Sequence, residues 1–147
     1  MPARNAHAAR SPLESALCTR MRQAGLIHEH RSLHFRVRLE DDRTAEFTPA
    51  VVARRGAILF VVEPLPGGST DHERLELLAR FLETHSPEIV LILVTSDPDV
   101  SRLPPGSYDE AYASADIARV VRRIKEQNPR GLIVPFRKPA SEEPEGR

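Results

Sequence analysis

A chain of 147 residues with 21 basic and 21 acidic side chains is sized for one hydrophobic core. Its balanced charge gives no whole-molecule field that favours nucleic acid or an anionic membrane. Cys18, the single cysteine, excludes an intrachain disulfide and is read as excluding a cysteine-based metal site, and no apolar run reaches the roughly 18 residues that span a bilayer, so a soluble, cytoplasmic protein is expected.

Residues 1–10, MPARNAHAAR, lack apolar periodicity and are expected to be a flexible lead-in. Arg4 and Arg10 are followed by no apolar stretch, so no export leader is expected. A single domain is expected over 11–136. In SPLESALCTRMRQAGL, Ser11 suits an N-cap, Pro12 the first turn, and Glu14 the third position of a capping box. Leu13, Leu17, Met21 and Ala24 form an apolar stripe that Gly25 ends, which predicts a helix over about 12–24.

From His30 the period becomes two. Leu33, Phe35, Val37 and Leu39 alternate with Ser32, His34, Arg36 and Arg38, which predicts a half-buried strand over 30–39. After the turn EDDR, strands are expected over 44–54 and 57–63, joined at Arg55-Gly56. LPGGST reads as a loop, with Thr70 or Asp71 capping a helix over 71–84. EIVLILVTS is a continuous apolar run, as expected of a strand covered on both faces. A short strand around 108–113 precedes a helix carrying Ile117, Val120, Val121 and Ile124, capped by Ser114 or Asp116. Leu132 to Phe136 are apolar enough to pack back on the domain, whereas 137–147, rich in proline, glutamate and glycine, is expected to be disordered.

The order helix, three antiparallel strands, helix, strand, strand, helix resembles the restriction-endonuclease-like superfamily, the PD-(D/E)XK nucleases, over about residues 11–127. The resemblance implies an α/β fold with a mixed central sheet, three antiparallel strands then a parallel one, flanked by helices. In that family the acid of "PD", the acid and lysine of "(D/E)XK" and often a first-helix glutamate hold Mg²⁺ and handle the attacking water. Laid on this sequence the pattern falls on Glu14, on Pro49-Ala50 and on Glu63-Pro64-Leu65. Both glutamates survive, but Ala50 stands where an acid is needed and Leu65 where a lysine is needed.

The resemblance therefore implies a degenerate nuclease with no cofactor, whose role would be binding nucleic acid or another protein. The enzymatic alternative is a migrated Mg²⁺ site built from Glu14, Glu46 and Glu63. It lacks a nearby lysine, since Lys125 and Lys138 stand far along the chain, and Arg54 stays protonated. The plain structural alternatives are a capping-box role for Glu14 and, for Glu63, a strand-end acid that is solvated or paired with arginine.

A second alternative is an unrelated α/β signalling or scaffold module. LILVTSDPDV followed by a late helix resembles receiver domains in part, without the acidic pocket those carry after their first strand.

Other features weigh less. His34, Arg36 and Arg38 make a cationic row which, with Arg54 and Arg55, is the candidate nucleic-acid surface; its plain alternative is a polar sheet face balanced by the nearby acids. His28, His30 and His34 share a parity that suits Zn²⁺ or Ni²⁺, but no third ligand of fixed geometry is evident, so solvated strand-end histidines are expected. His72 and Glu76, one helical turn apart, read as a solvent-facing helix surface. Gly67-Gly68 is a hinge without the lysine of a phosphate cradle, and Ser96 with Asp97 makes no triad.

Overall fold

Ser11 and Gly25 bound the first helix, α1 (Pro12–Gln23), as their residue types allow. The Ser11 hydroxyl accepts from the Glu14 N–H at 3.1 Å. At the other end Gly25 sits at φ 71°, with Gly25 N–H donating to Arg22 O at 3.0 Å and Leu26 N–H to Met21 O at 2.8 Å. That pair of bonds is a Schellman closure, and its left-handed residue favours glycine. The computed structural model describes residues 9–65 and 72–130. The expectations for residues 1–8, for Gly67-Gly68 and the caps Thr70 and Asp71, and for the apolar run and tail after Arg130 lie outside the described residues.

Among the described residues seven strands follow α1, with helices between the later ones: β1 (Glu29–His30), β2 (Phe35–Arg38), β3 (Thr44–Phe47), β4 (Val51–Arg55), β5 (Ile58–Pro64), helix α2 (His72–Thr84), β6 (Ile89–Thr95), the short turn of helix α3 (Asp97–Val100), β7 (Glu110–Ala113) and helix α4 (Ile117–Lys125). The main sheet has the order β1-β4-β5-β6-β7. β4 pairs antiparallel with β1 and β5, whereas β5–β6 and β6–β7 are parallel. The chain is thus α/β with a mixed central sheet flanked by helices, and β6 lies beside β5 in parallel as the sequence predicts.

Side-chain parity sorts the core into two layers. Val51, Ala53, Ile58, Phe60, Val62, Val90, Ile92 and Val94 pack with Leu17 and Met21 of α1 and the apolar stripe of α4. Val52, Leu59, Val61, Leu91 and Leu93 pack with Leu75, Leu77, Leu78 and Phe81 of α2 and with Val37 and Phe47 of the β2–β3 hairpin. Phe81 meets Phe35 and Phe47 edge-on, with ring centroids 4.9 and 4.8 Å apart, a geometry that adds attraction beyond the buried area. Gly56, at φ 58°, makes the β4–β5 turn. A Cβ there would lie 1.7 Å from the Pro129 carbonyl oxygen, so conformation and space both demand glycine.

The strand boundaries correct the sequence reading. The predicted strand over 30–39 is two elements, β1 and β2, divided where Arg31 adopts φ 53°. The predicted strand over 44–54 is likewise divided, at Thr48-Pro49-Ala50, into β3 and β4. β2 and β3 pair only with each other, as a two-stranded sheet. Proline at 49 has no N–H to continue a ladder, and the break opens a cleft between the hairpin and the main sheet.

Candidate functional site

That cleft has a volume of about 650 Å³ and is lined by Arg10, Ser11, Glu14, Arg31, His34, Glu46, Thr48, Ala50, Glu63, Pro64 and Arg74. Four sequence-predicted positions, Glu14, Glu46, Ala50 and Glu63, therefore meet on one surface, with His34 among them. Leu65 does not join them: it packs against the apolar layer under α2, and its N–H donates to Val94 O at 2.8 Å.

Glu63 ends β5 and is buried. Val51 and Val62 are partners in the β4–β5 register, so the next residue outward on each strand brings Ala50 opposite Glu63. One carboxylate oxygen of Glu63 accepts the Ala50 N–H at 2.8 Å; the other pairs with the guanidinium of Arg74, from the first turn of α2. The Arg74 guanidinium also lies 5.6 Å from the centre of the Phe47 ring, where the ring's negative face attracts a cation. Burial lowers the Arg74 pKa, yet arginine remains a cation in proteins. A strand that reads as buried can end on a carboxylate here because α2 supplies its counter-charge.

Glu14 is held more elaborately. Its Oε2 accepts from His30 Nδ1 at 2.6 Å and from Arg31 Nη1 at 2.9 Å, while Oε1 accepts from Arg31 Nη2 at 2.5 Å and from the Arg10 N–H at 3.2 Å. The Arg31 contact is a two-pronged guanidinium–carboxylate pair, the strongest common form of charge-assisted hydrogen bond. Burial by itself would raise the carboxyl pKa. The hydrogen bonds from Arg31, His30 and the Arg10 N–H, together with the Arg31 charge, outweigh it and hold Glu14 below the usual glutamate range. The predicted capping box is half-formed: Ser11 caps, but the carboxylate reaches the N–H of Arg10 rather than that of Ser11.

At the rim His34 contacts Thr48 Oγ1 at 2.9 Å and Glu46 at 3.2 Å. Arg36, exposed, stands opposite Glu46 in the hairpin register. Arg38 is exposed on the same strand, and its carbonyl accepts from Arg80 Nε at 2.9 Å. Arg54 and Arg55 belong to the other sheet, and Arg55 Nη2 donates to Lys125 O at 3.0 Å. The five cationic candidates are thus divided between two sheets, with His34, Arg36 and Arg38 on the hairpin beside the cleft.

Chemically, both buried carboxylates already have both oxygens engaged, each with a guanidinium. Mg²⁺ demands near-octahedral oxygen ligation and sheds its waters reluctantly; to bind here it would displace two arginines. Arginine carries charge but takes no proton at neutral pH, so neither Arg31 nor Arg74 serves as a base. Sequence reasoning missed both. Arg31 follows a strand and Arg74 sits just ahead of an ordinary helical stripe, so neither position carries a motif.

His28 and His30 also depart from expectation. Both are buried, 5% and 6% exposed, because parity turns 28 and 30 inward while Ile27 and Glu29 face out. His72 and Glu76 stand on α2, His72 exposed as expected. Compared with protein-family models, curated proteins and solved structures, the chain has no match.

Proposed function

We propose that the chain is a restriction-endonuclease-like protein that has lost metal-dependent cleavage and keeps its fold to bind nucleic acid on the cationic edge beside the cleft. What supports this reading is the convergence of Glu14, Ala50 and Glu63 in one cleft at the end of β5, with each surviving carboxylate neutralised by an arginine. A site that once held a divalent cation would keep its acids, lose its ligand geometry and acquire fixed cations in place of the diffusible one. His34, Arg36 and Arg38 on the hairpin are the phosphate-contacting residues of this reading, and Arg54 and Arg55 a secondary patch. No described helix is long and apolar enough to cross a membrane, and the proposed setting is the cytoplasm.

One observation favours a second reading. Glu46 lines the same cleft as Glu14 and Glu63, as a migrated Mg²⁺ site requires. The arginine pairs weigh against it, since they satisfy the carboxylates without metal.

Two assays on the purified protein separate these readings. Plasmid, single-stranded DNA and RNA incubated with Mg²⁺ or Mn²⁺ should remain intact; cleavage that disappears in Glu63→Ala would establish a living site. Fluorescence anisotropy at low salt should detect nucleic-acid binding that weakens as salt rises. Arg36→Ala should flatten the salt dependence by about one unit of logarithmic slope, the signature of one lost phosphate contact. If neither duplex nor single strands bind at low salt, the remaining role is protein interaction.

A further inference from the structure

Behind the cleft wall, Cys18 of α1, His28 of the α1–β1 connection and His30 of β1 are all buried, and one ligand atom from each lies within 4.8 Å of the other two. We propose that these three side chains form a binding site for a borderline-soft divalent cation, with Zn²⁺ the best fit.

The donor set is one thiol and two imidazoles, the combination that zinc accepts with three protein ligands and an open fourth position. Cys18 Sγ and His28 Nε2 are 3.3 Å apart. Donors around a tetrahedral zinc stand roughly 3.3–3.6 Å from one another, given zinc–nitrogen bonds near 2.0 Å and a zinc–sulfur bond near 2.3 Å. This edge is therefore close to its zinc-bound length, and the other two, within 4.8 Å, would shorten on binding.

The outer contacts point the same way. His28 Nδ1 lies 3.0 Å from the Leu26 carbonyl and so carries the proton, which leaves Nε2, the atom facing Cys18, with its lone pair. His30 Nδ1 lies 2.6 Å from the Glu14 carboxylate, which in the neutral ring places the lone pair on Nε2. Metal-binding histidines are oriented this way, with the second ring nitrogen donating to a carbonyl or a carboxylate. The Glu14 carboxylate, itself fixed by Arg31, is the acceptor that holds the His30 ring in this orientation. The local sequence produces the cluster directly: Glu14 and Cys18 are one turn apart on α1, and His28 and His30 share strand parity. On binding, the Cys18 thiol releases its proton to solvent and the thiolate ligates the cation, so the fourth position falls to a water.

The sole cysteine makes the test specific. Tag-free protein, stripped by chelator and kept reduced, is titrated with Co²⁺ as a spectroscopic stand-in for zinc. The expected result is one equivalent bound, with visible bands of tetrahedral cobalt and a thiolate-to-cobalt charge-transfer band that only Cys18 can supply. Added Zn²⁺ should abolish both and raise the thermal midpoint. Cys18→Ser should remove the charge-transfer band, His28→Ala should weaken binding at least a hundredfold, Glu14→Gln should weaken it roughly 10- to 100-fold, and His72→Ala should change nothing. If Cys18→Ser fails to fold, the wild-type band carries the same assignment. Folded wild-type protein that binds no cobalt, or binds it without charge transfer, would overturn the proposal and leave a thiol–imidazole hydrogen bond in the core.

Discussion

Glu14 and Glu63 face one cleft and are equally hidden, with side chains 3% exposed in each case, but they are held in different ways. Glu14 draws on Arg31, His30 and a backbone N–H. Glu63 has one neutral N–H from Ala50 and one guanidinium from Arg74. Equal burial therefore conceals unequal redundancy. A buried carboxylate with several donors tolerates the loss of one; a carboxylate with a single counter-charge does not.

The largest expected effect follows from that asymmetry. Arg74→Ala leaves Glu63 buried beside one neutral donor and should destabilise the fold by about 3–4 kcal/mol, as removal of one partner from a buried ion pair does. Arg31→Ala should cost less, about 1–2 kcal/mol, because His30 and the Arg10 N–H continue to serve Glu14. Urea denaturation of both variants checks the order, and equal midpoints would erase the distinction between the two carboxylates. Replacing the pair together, Glu63→Gln with Arg74→Met, keeps an acceptor for Ala50 and removes both charges, so it should stay within about 1 kcal/mol of wild type.

The unequal legibility of the two sides has a physical cause. α1, β6 and the Gly56 turn were readable because a cap, a two-sided apolar run and a positive-φ glycine are local signals. The convergence of Glu14, Glu46 and Glu63 was readable only through the family resemblance, since periodicity does not say which strand ends meet. The division of the long strands at Arg31 and at Thr48-Pro49-Ala50 was hidden, because the inward set passes from His28 and His30, polar residues with no apolar parity, to Val37 and Leu39, and residues 49–53 are buried without alternation. Arg74 and Arg31 were hidden for another reason: an arginine's long reach lets it find a carboxylate from positions that no spacing rule marks. Cys18 gave no metal signal because, as the sole cysteine, it forms no paired-thiol spacing, and its histidine neighbours come from a different element.

Acid should expose the Glu14 side selectively. Its folded pKa is depressed below the ordinary 4.5, so the stability it contributes is present above the unfolded pKa and is lost as pH falls through the folded value. Below pH 4.5, wild type should therefore lose stability more steeply than Glu14→Gln, which has no proton to take up there. Parallel curves by circular dichroism would mean that the Glu14 network does not couple folding to protonation.

The smallest effect separates Glu14's two duties. Ser11→Ala removes the hydroxyl that accepts the Glu14 N–H and should cost about 1 kcal/mol, the ordinary value of an N-cap. The carboxylate, by contrast, reaches past the capping box to Arg10, His30 and Arg31, contacts that do not need the serine. If Glu14 acted mainly as half of a cap, Ser11→Ala and Glu14→Ala would cost about the same. Because its carboxylate orients His30 and neutralises Arg31, Glu14→Ala should cost roughly twice as much or more, since a buried charge network is broken rather than a single part-buried bond. Thermal midpoints of the two variants measured side by side decide between a capping residue and the keystone of the cleft wall.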